Sequence, residues 1–163
     1  MYAFLSENTK FSKDEIRWAV EQCIRQGEGA DAVLPFLEGW EYARQNFNTL
    51  EKGGRLSDEI SYLAMIVTDG RHTMSNPYRY TPVIFANGNT GTNPDSIPRT
   101  HYLLCQSGLI TQDLNSFVVE WLKIHPLEDG NGRVANIILN RLSEGEQFIY
   151  DNPKEEGWID RAS

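Results

Sequence analysis

The stretch Leu114–Asn136 reads L-N-S-F-V-V-E-W-L-K-I-H-P-L-E-D-G-N-G-R-V-A-N. Its first half sets the fold class. Leu114, Phe117, Val118, Trp121 and Leu122 recur at i, i+3, i+4, i+7 and i+8, which puts them on one face of a helix. Thr111 is the expected cap, and the helix spans 112–124. Pro126 ends it, and the proline biases His125 away from α geometry. A second helix begins near Asn131 and buries Val134, Ile137, Ile138 and Leu142. Between the two helices, His125 to Arg133 hold a histidine, two acids, a glycine-rich turn and an arginine in nine residues.

The same periodicity extends outward. Ser12 with Glu15 forms a capping-box pattern for an N-terminal helix over 12–26. Residues 31–48 read as a second helix and 58–68 as a third, with Ser57 as its cap. Arg99–Cys105 is also helical. Glu51–Gly54 reads as a loop and 143–163 as a polar, acidic tail, with Trp158 as an anchor for docking it. One segment differs. Asp69–Pro98 is rich in glycine and proline and holds one β-like run, Tyr78–Phe85. Asn87-Gly88 is a turn signal, and Pro82 restricts the run to an edge or a hairpin arm. Spacing alone leaves open whether this segment is functional or a plain connection.

Composition narrows the class. The chain has 163 residues, 40% hydrophobic and 23% charged, with a net charge of −8. That length suits one domain with a core of its own. The acidic balance argues against non-specific nucleic-acid binding or an anionic membrane as partner. No apolar run approaches the ~18–20 residues of a membrane span. The start, M-Y-A-F-L-S-E-N, lacks the features of a signal peptide. Cys23 and Cys105 read as buried free thiols. The expected location is therefore the cytoplasm.

The loop has a consistent chemistry. Gly130, Asn131 and Gly132 allow a tight turn whose N–H groups open a helix, a natural cradle for phosphate oxygens. Arg133 in the first helical turn opposes the macrodipole unless it clamps an anion there. Asp129 offers a hard oxygen to Mg²⁺, and His125 is a base near neutral pH. Together they suit phosphoryl or nucleotidyl transfer. His72, His101, Trp18, Trp40 and Trp121 read as structural.

At these residues the chain resembles the Fic family of the Fic/Doc superfamily. The family signature is H-P-F-x-(D or E)-G-N-G-R-x-x-R, and here His125–Asn136 stands as H-P-L-E-D-G-N-G-R-V-A-N. The resemblance extends over roughly 31–142. It implies an all-α bundle with a small β-hairpin flap, as a single domain over 1–163. It also implies transfer of AMP from ATP to a Ser, Thr or Tyr hydroxyl of a target protein. By position, His125 would be the general base and Asp129 would hold Mg²⁺. Gly130, Asn131 and Gly132 would form the anion hole, and Arg133 would bind phosphate. Arg79, Tyr80, Thr81, Val83, Ile84 and Phe85 would form the flap, pairing with the target by strand addition.

Two positions depart from the pattern. Leu127 replaces phenylalanine within an apolar role. Asn136 replaces the second arginine, which in the family contacts the outer phosphates and pairs with an inhibitory glutamate. No copy of the inhibitory motif (S or T)-x-x-x-E-(G or N) is present. Glu28-Gly29, for example, lacks Ser or Thr four residues before the glutamate. A separate small antitoxin-like inhibitor is therefore an expected partner. Asn136 also leaves open another phosphate-linked donor, Doc-like phosphorylation, or a non-catalytic binding module. Doc-like members usually carry lysine where Gly132 stands, so the glycine favours AMP transfer.

Overall fold

A computed structural model of the chain describes residues 10–47 and 54–155. Among them are seven α-helices: α1 Lys13–Arg25, α2 Val33–Asn46, α3 Gly54–Val67, α4 Ile97–Gln106, α5 Leu109–Gln112, α6 Leu114–Ile124 and α7 Asn131–Leu142. No helix among the described residues is long and apolar enough to cross a membrane. The proposed anchor Trp158 lies outside the described residues, as do positions 51–53 of the expected loop.

Local sequence explains the helix ends. The Ser12–Glu15 capping box forms as expected, with Glu15 N–H donating to Ser12 Oγ at 3.1 Å and Ser12 N–H to Glu15 Oε1 at 2.8 Å. The other oxygen of Glu15 accepts from Trp40 Nε1 at 2.6 Å and pairs with Arg44 at 3.0 Å. One carboxylate thus both caps α1 and sets α1 against α2. α6 is capped by Asp113, whose Oδ1 accepts from Ser116 N–H at 3.1 Å, and not by Thr111. α3 starts at Gly54, so Ser57 sits within the helix instead of capping it.

The core is helix on helix. α7 packs against α6, α2 and α3, and it is buried continuously from Asn131 to Leu139. α2 and α3 approach closely at Gly39, where a Cβ would lie 2.6 Å from Val67 Cγ2. This contact explains a glycine in mid-helix despite its propensity cost. Trp18 meets Phe36 and Trp40 edge-on at 4.8 and 5.0 Å and stacks on Phe148 at 4.3 Å. That stack brings the segment after α7 onto α1. Cys23 and Cys105 are free and buried, as the sequence suggested.

The expected β-hairpin flap over Arg79–Phe85 does not form. The described residues contain no β-strand, only one isolated antiparallel bridge, Ile84 to Thr90. Two bonds flank it, Phe85 N–H to Asn89 O at 2.7 Å and Gly91 N–H to Val83 O at 3.1 Å. Pro82 has no N–H to give. The next bonded pair in that register would be Thr81 with Asn93. Thr81 N–H faces Glu128 Oε1 at 3.4 Å, and its carbonyl accepts from Arg79 Nη1 at 2.6 Å. Both ladder groups are engaged elsewhere, so the pairing stops after one bridge. The all-α assignment stands without the flap.

A buried polar array ties the 69–98 segment to the bundle. Trp121 Nε1 donates to His101 Nε2 at 3.0 Å. Indole is only a donor, so the His101 proton is on Nδ1. Nδ1 faces Tyr78 OH at 2.8 Å and Ser57 Oγ at 3.1 Å. Burial pushes the His101 pKa down to about 4. This gives a stability prediction with a definite sign. Above the unfolded-chain value of 6.5 both states are neutral, and the array contributes fully. As pH falls toward about 4, the unfolded chain takes a proton that the folded chain refuses, and stability drops by ~3 kcal/mol. Urea unfolding from pH 7 to pH 4 should show this fall, and His101→Gln should reduce its slope. An unchanged slope in the variant would exclude His101 as its source.

Candidate functional site

α6 closes on His125, whose N–H donates to Trp121 O at 3.1 Å. His125 itself adopts φ 52, ψ 63, the left-handed region, and Pro126 follows. A non-glycine residue there carries strain of roughly 1–2 kcal/mol. The Arg79 side chain answers it by donating Nε–H to His125 O and Nη2–H to Ile124 O, the latter at 3.1 Å. His125 is 4% exposed, and its ring meets Phe85 edge-on at 5.2 Å. Burial first, and then the Arg79 charge, push its pKa down to about 4. The imidazole is therefore neutral at pH 7, as a general base must be.

The loop that follows is fixed by side chains. Asn131 accepts from Leu127 N–H at 3.0 Å and donates to Leu127 O at 2.8 Å, closing the turn on itself. Leu127 sits in the core, 2% exposed. Glu128 N–H donates to His72 Nε2 at 3.1 Å. Glu128 in turn accepts from Tyr80 N–H at 3.1 Å and Thr81 Oγ1 at 3.0 Å, tying the loop to the neighbouring segment. Those bonds hold its carboxyl below the usual range against the opposing effect of burial. Gly130 caps α7 at φ 91, with Thr68 Cγ2 2.9 Å from where a Cβ would stand.

The expected anion hole is lined from within the chain. A Cβ on Gly132 would lie 2.6 Å from Gln26 Nε2, so the Gln26 amide lies against this glycine. Arg133, 3% exposed at its side chain, pairs with Glu28 Oε1 at 3.4 Å and Asp129 Oδ2 at 3.2 Å. Asp129 Oδ2 also pairs with Arg71 at 3.3 Å. Arg133 Nε and Gln26 Oε1, both buried, have no hydrogen-bond partner among the described residues. A buried guanidinium donor without an acceptor is costly, and a phosphate oxygen would satisfy it.

The metal expectation can be checked against these residues. No cluster of three or more His, Cys, Asp or Glu side chains suited to a metal occurs among the described residues. Mg²⁺ in nucleotide sites typically takes one or two carboxylates and completes its shell with phosphate oxygens and water. Asp129, 19% exposed at its side chain, fits that role, with Arg71 and Arg133 as its present partners.

The residues expected in the flap separate. Arg79 and Phe85 turn inward, while Tyr80 and Ile84 are 72% and 71% exposed. Thr81 is bonded to Glu128, and Val83 is half-buried. Asn136 lies fully buried. It accepts from Trp18 Nε1 at 2.7 Å and donates to Asn152 Oδ1 at 3.0 Å. Asn152 donates in turn to Gly132 O at 3.1 Å. Asn136 is thus a junction of α1, α7 and the C-terminal segment.

Sequence reasoning missed Gln26, Glu28, Arg71 and Asn152. The one available signal was Gly27-Glu28-Gly29, an acid held between glycines at the end of α1. Ile24 stands where the inhibitory motif has Ser or Thr, so Glu28-Gly29 does not match it. No protein-family model matches the chain, and no curated protein matches it.

The Asn136 junction is testable by substitution. Asn136→Arg buries a charge among Trp18, Asn140 and Asn152 and should destabilise the fold by on the order of 3–5 kcal/mol in urea unfolding. Wild-type stability together with tighter ATP binding would show that the junction opens easily.

Proposed function

We propose that this chain is a Mg²⁺-dependent transferase that moves AMP from ATP to a Ser, Thr or Tyr hydroxyl of a target protein. The observation that carries the proposal is the pairing of two features on one loop. A neutral histidine closes α6, and a buried arginine with an unpartnered Nε opens α7 beside two glycines. The resemblance of residues 125–133 to the Fic signature supports the same assignment.

In this scheme the target hydroxyl loses its proton to His125. The hydroxyl oxygen forms a bond to the α-phosphorus, and the bond from that phosphorus to the bridging oxygen breaks. Pyrophosphate leaves with the electron pair. Arg133 and the α7 N-terminus hold phosphate oxygens and stabilise the charge spread over them. Asp129 would hold Mg²⁺ on the same phosphates, where the ion offsets the developing charge. Two rearrangements are required. Glu28 must leave Arg133, and Phe85 must uncover the His125 ring.

Glu28 also bears on the expected partner. A small antitoxin-like inhibitor carrying a glutamate remains part of the proposal, but the chain has its own carboxylate on Arg133. A second reading follows from the same contacts. With Glu28 on Arg133 and His125 4% exposed, the fold also suits a nucleotide- or partner-binding module without turnover. The Asn136 junction favours a third, a donor whose outer phosphates need no second arginine.

ATP labelled at the α- or the γ-phosphate separates these readings in cell lysate with Mg²⁺. The expected result is label on a target from the α position alone, reduced by ~100-fold or more in His125→Ala. Glu28→Ala should raise the yield. Label from γ alone would replace AMP transfer by phosphorylation. No label from wild type or Glu28→Ala, with nucleotide affinity that survives His125→Ala, would support the binding module.

A further inference from the structure

Arg79 was expected on a surface flap. It is instead 2% exposed, among the largest fully buried side chains. Among the described residues its side chain donates to four backbone carbonyls: His125 and Ile124 at the end of α6, and Thr81 and Thr92 in the 69–98 segment. Its own N–H donates to Pro126 O at 2.9 Å. Gly91 leaves room for the head group, since a Cβ there would lie 2.8 Å from Arg79 Nη2 and 3.4 Å from His125 Cβ. Among the described residues no carboxylate lies within ion-pair distance, and Glu128 acts on it at longer range.

A buried cation without a counter-ion is an expensive way to bind four carbonyls. Part of its use is geometric. The planar fork spans two chain segments in a way that a single ammonium or amide does not. The rest concerns charge, because the guanidinium stays protonated at every working pH. We infer that Arg79 is a positioning residue for His125, fixing its left-handed backbone and presenting a permanent positive charge to its ring. The Arg79 charge acts on that ring and opposes its protonation. Phe85, which meets the ring edge-on, carries no charge. A cation so placed adds to the effect of burial and disfavours the protonated imidazole.

The importance of Arg79 for turnover rests on His125 being the general base, but its effect on the ring can be measured without any activity. The experiment is a pH titration of the full chain with isotope-labelled histidine, followed by NMR, with the His125 signal assigned by its loss in His125→Ala. In wild type the ring should titrate well below 6.5. In Arg79→Gln, which removes the charge, the midpoint should rise by about 1–2 units. In Arg79→Lys, which keeps the charge and loses the fork, the midpoint should stay low. The Thr92 amide, which donates to Ile124 O, should then exchange about tenfold faster relative to α7 amides.

An unchanged midpoint in folded Arg79→Gln overturns the inference. If Arg79→Gln does not fold, Arg79→Lys decides. Faster Thr92 exchange with a low midpoint supports the inference, and wild-type exchange overturns it. Failure of the transferase reading would show separately, as absence of label transfer by wild type, and would leave these midpoints unaffected.

Discussion

The structure depends on satisfying the polar side chains of a helix that is buried on every side. α7 carries Asn131, Arg133 and Asn136 into the interior, each at most 2% exposed. Buried polar groups without partners destabilise a fold by a few kcal/mol each. Asn131 finds its partners in the backbone of Leu127 and so shapes the loop. Arg133 finds Glu28 and Asp129. Asn136 finds Trp18 and Asn152. These three residues determine where α1, the 125–130 loop and the C-terminal segment must lie.

The same requirement connects stability to chemistry. Asn131 and Asn136 are satisfied completely within the chain, which suits structural parts. Arg133 is not, because its Nε has no acceptor. A residue left partly unsatisfied at a glycine-lined helix start is poised for a ligand, and Glu28 approaches the role of that ligand with a carboxylate. Burial and the neighbouring Asp129 raise the Glu28 pKa against the pull of Arg133. In the transferase reading proposed above, the Glu28 carboxylate and a phosphate compete for one guanidinium.

Local signals were legible in the sequence. The apolar stripe of α6, the Ser12–Glu15 box and the glycines at 130 and 132 all act within one or two turns, and each led to the right element. Misreadings arose where a distant residue took the group that a local rule relied on. Ser57 looked like a cap, but its hydroxyl meets His101, 44 positions later. Thr81 looked like a strand residue, but Glu128 and Arg79 hold its N–H and carbonyl. Arg79 alternates along a β-like run, and nothing nearby reveals that four carbonyls converge on it. Asn136 could be marked as a departure from a pattern, but its partner Trp18 lies 118 residues away.

The last of these separations has a consequence for biogenesis. During synthesis α1 leaves the ribosome first, yet Trp18 waits 118 residues for Asn136, and Gln22 waits 128 for the Tyr150 carbonyl. Closing such long loops is slow because their entropy must be overcome before any contact forms. The nascent chain can build α2, α3 and α6 while the polar half of α7 still lacks part of its shell. Until residues 150–152 have been made, Gln22, Asn136 and the Gly132 carbonyl lack partners that the folded chain gives them. A chain stalled short of residue 150 would lack the Tyr150 and Asn152 groups that bond Gln22 on α1 and Asn136 and Gly132 on α7.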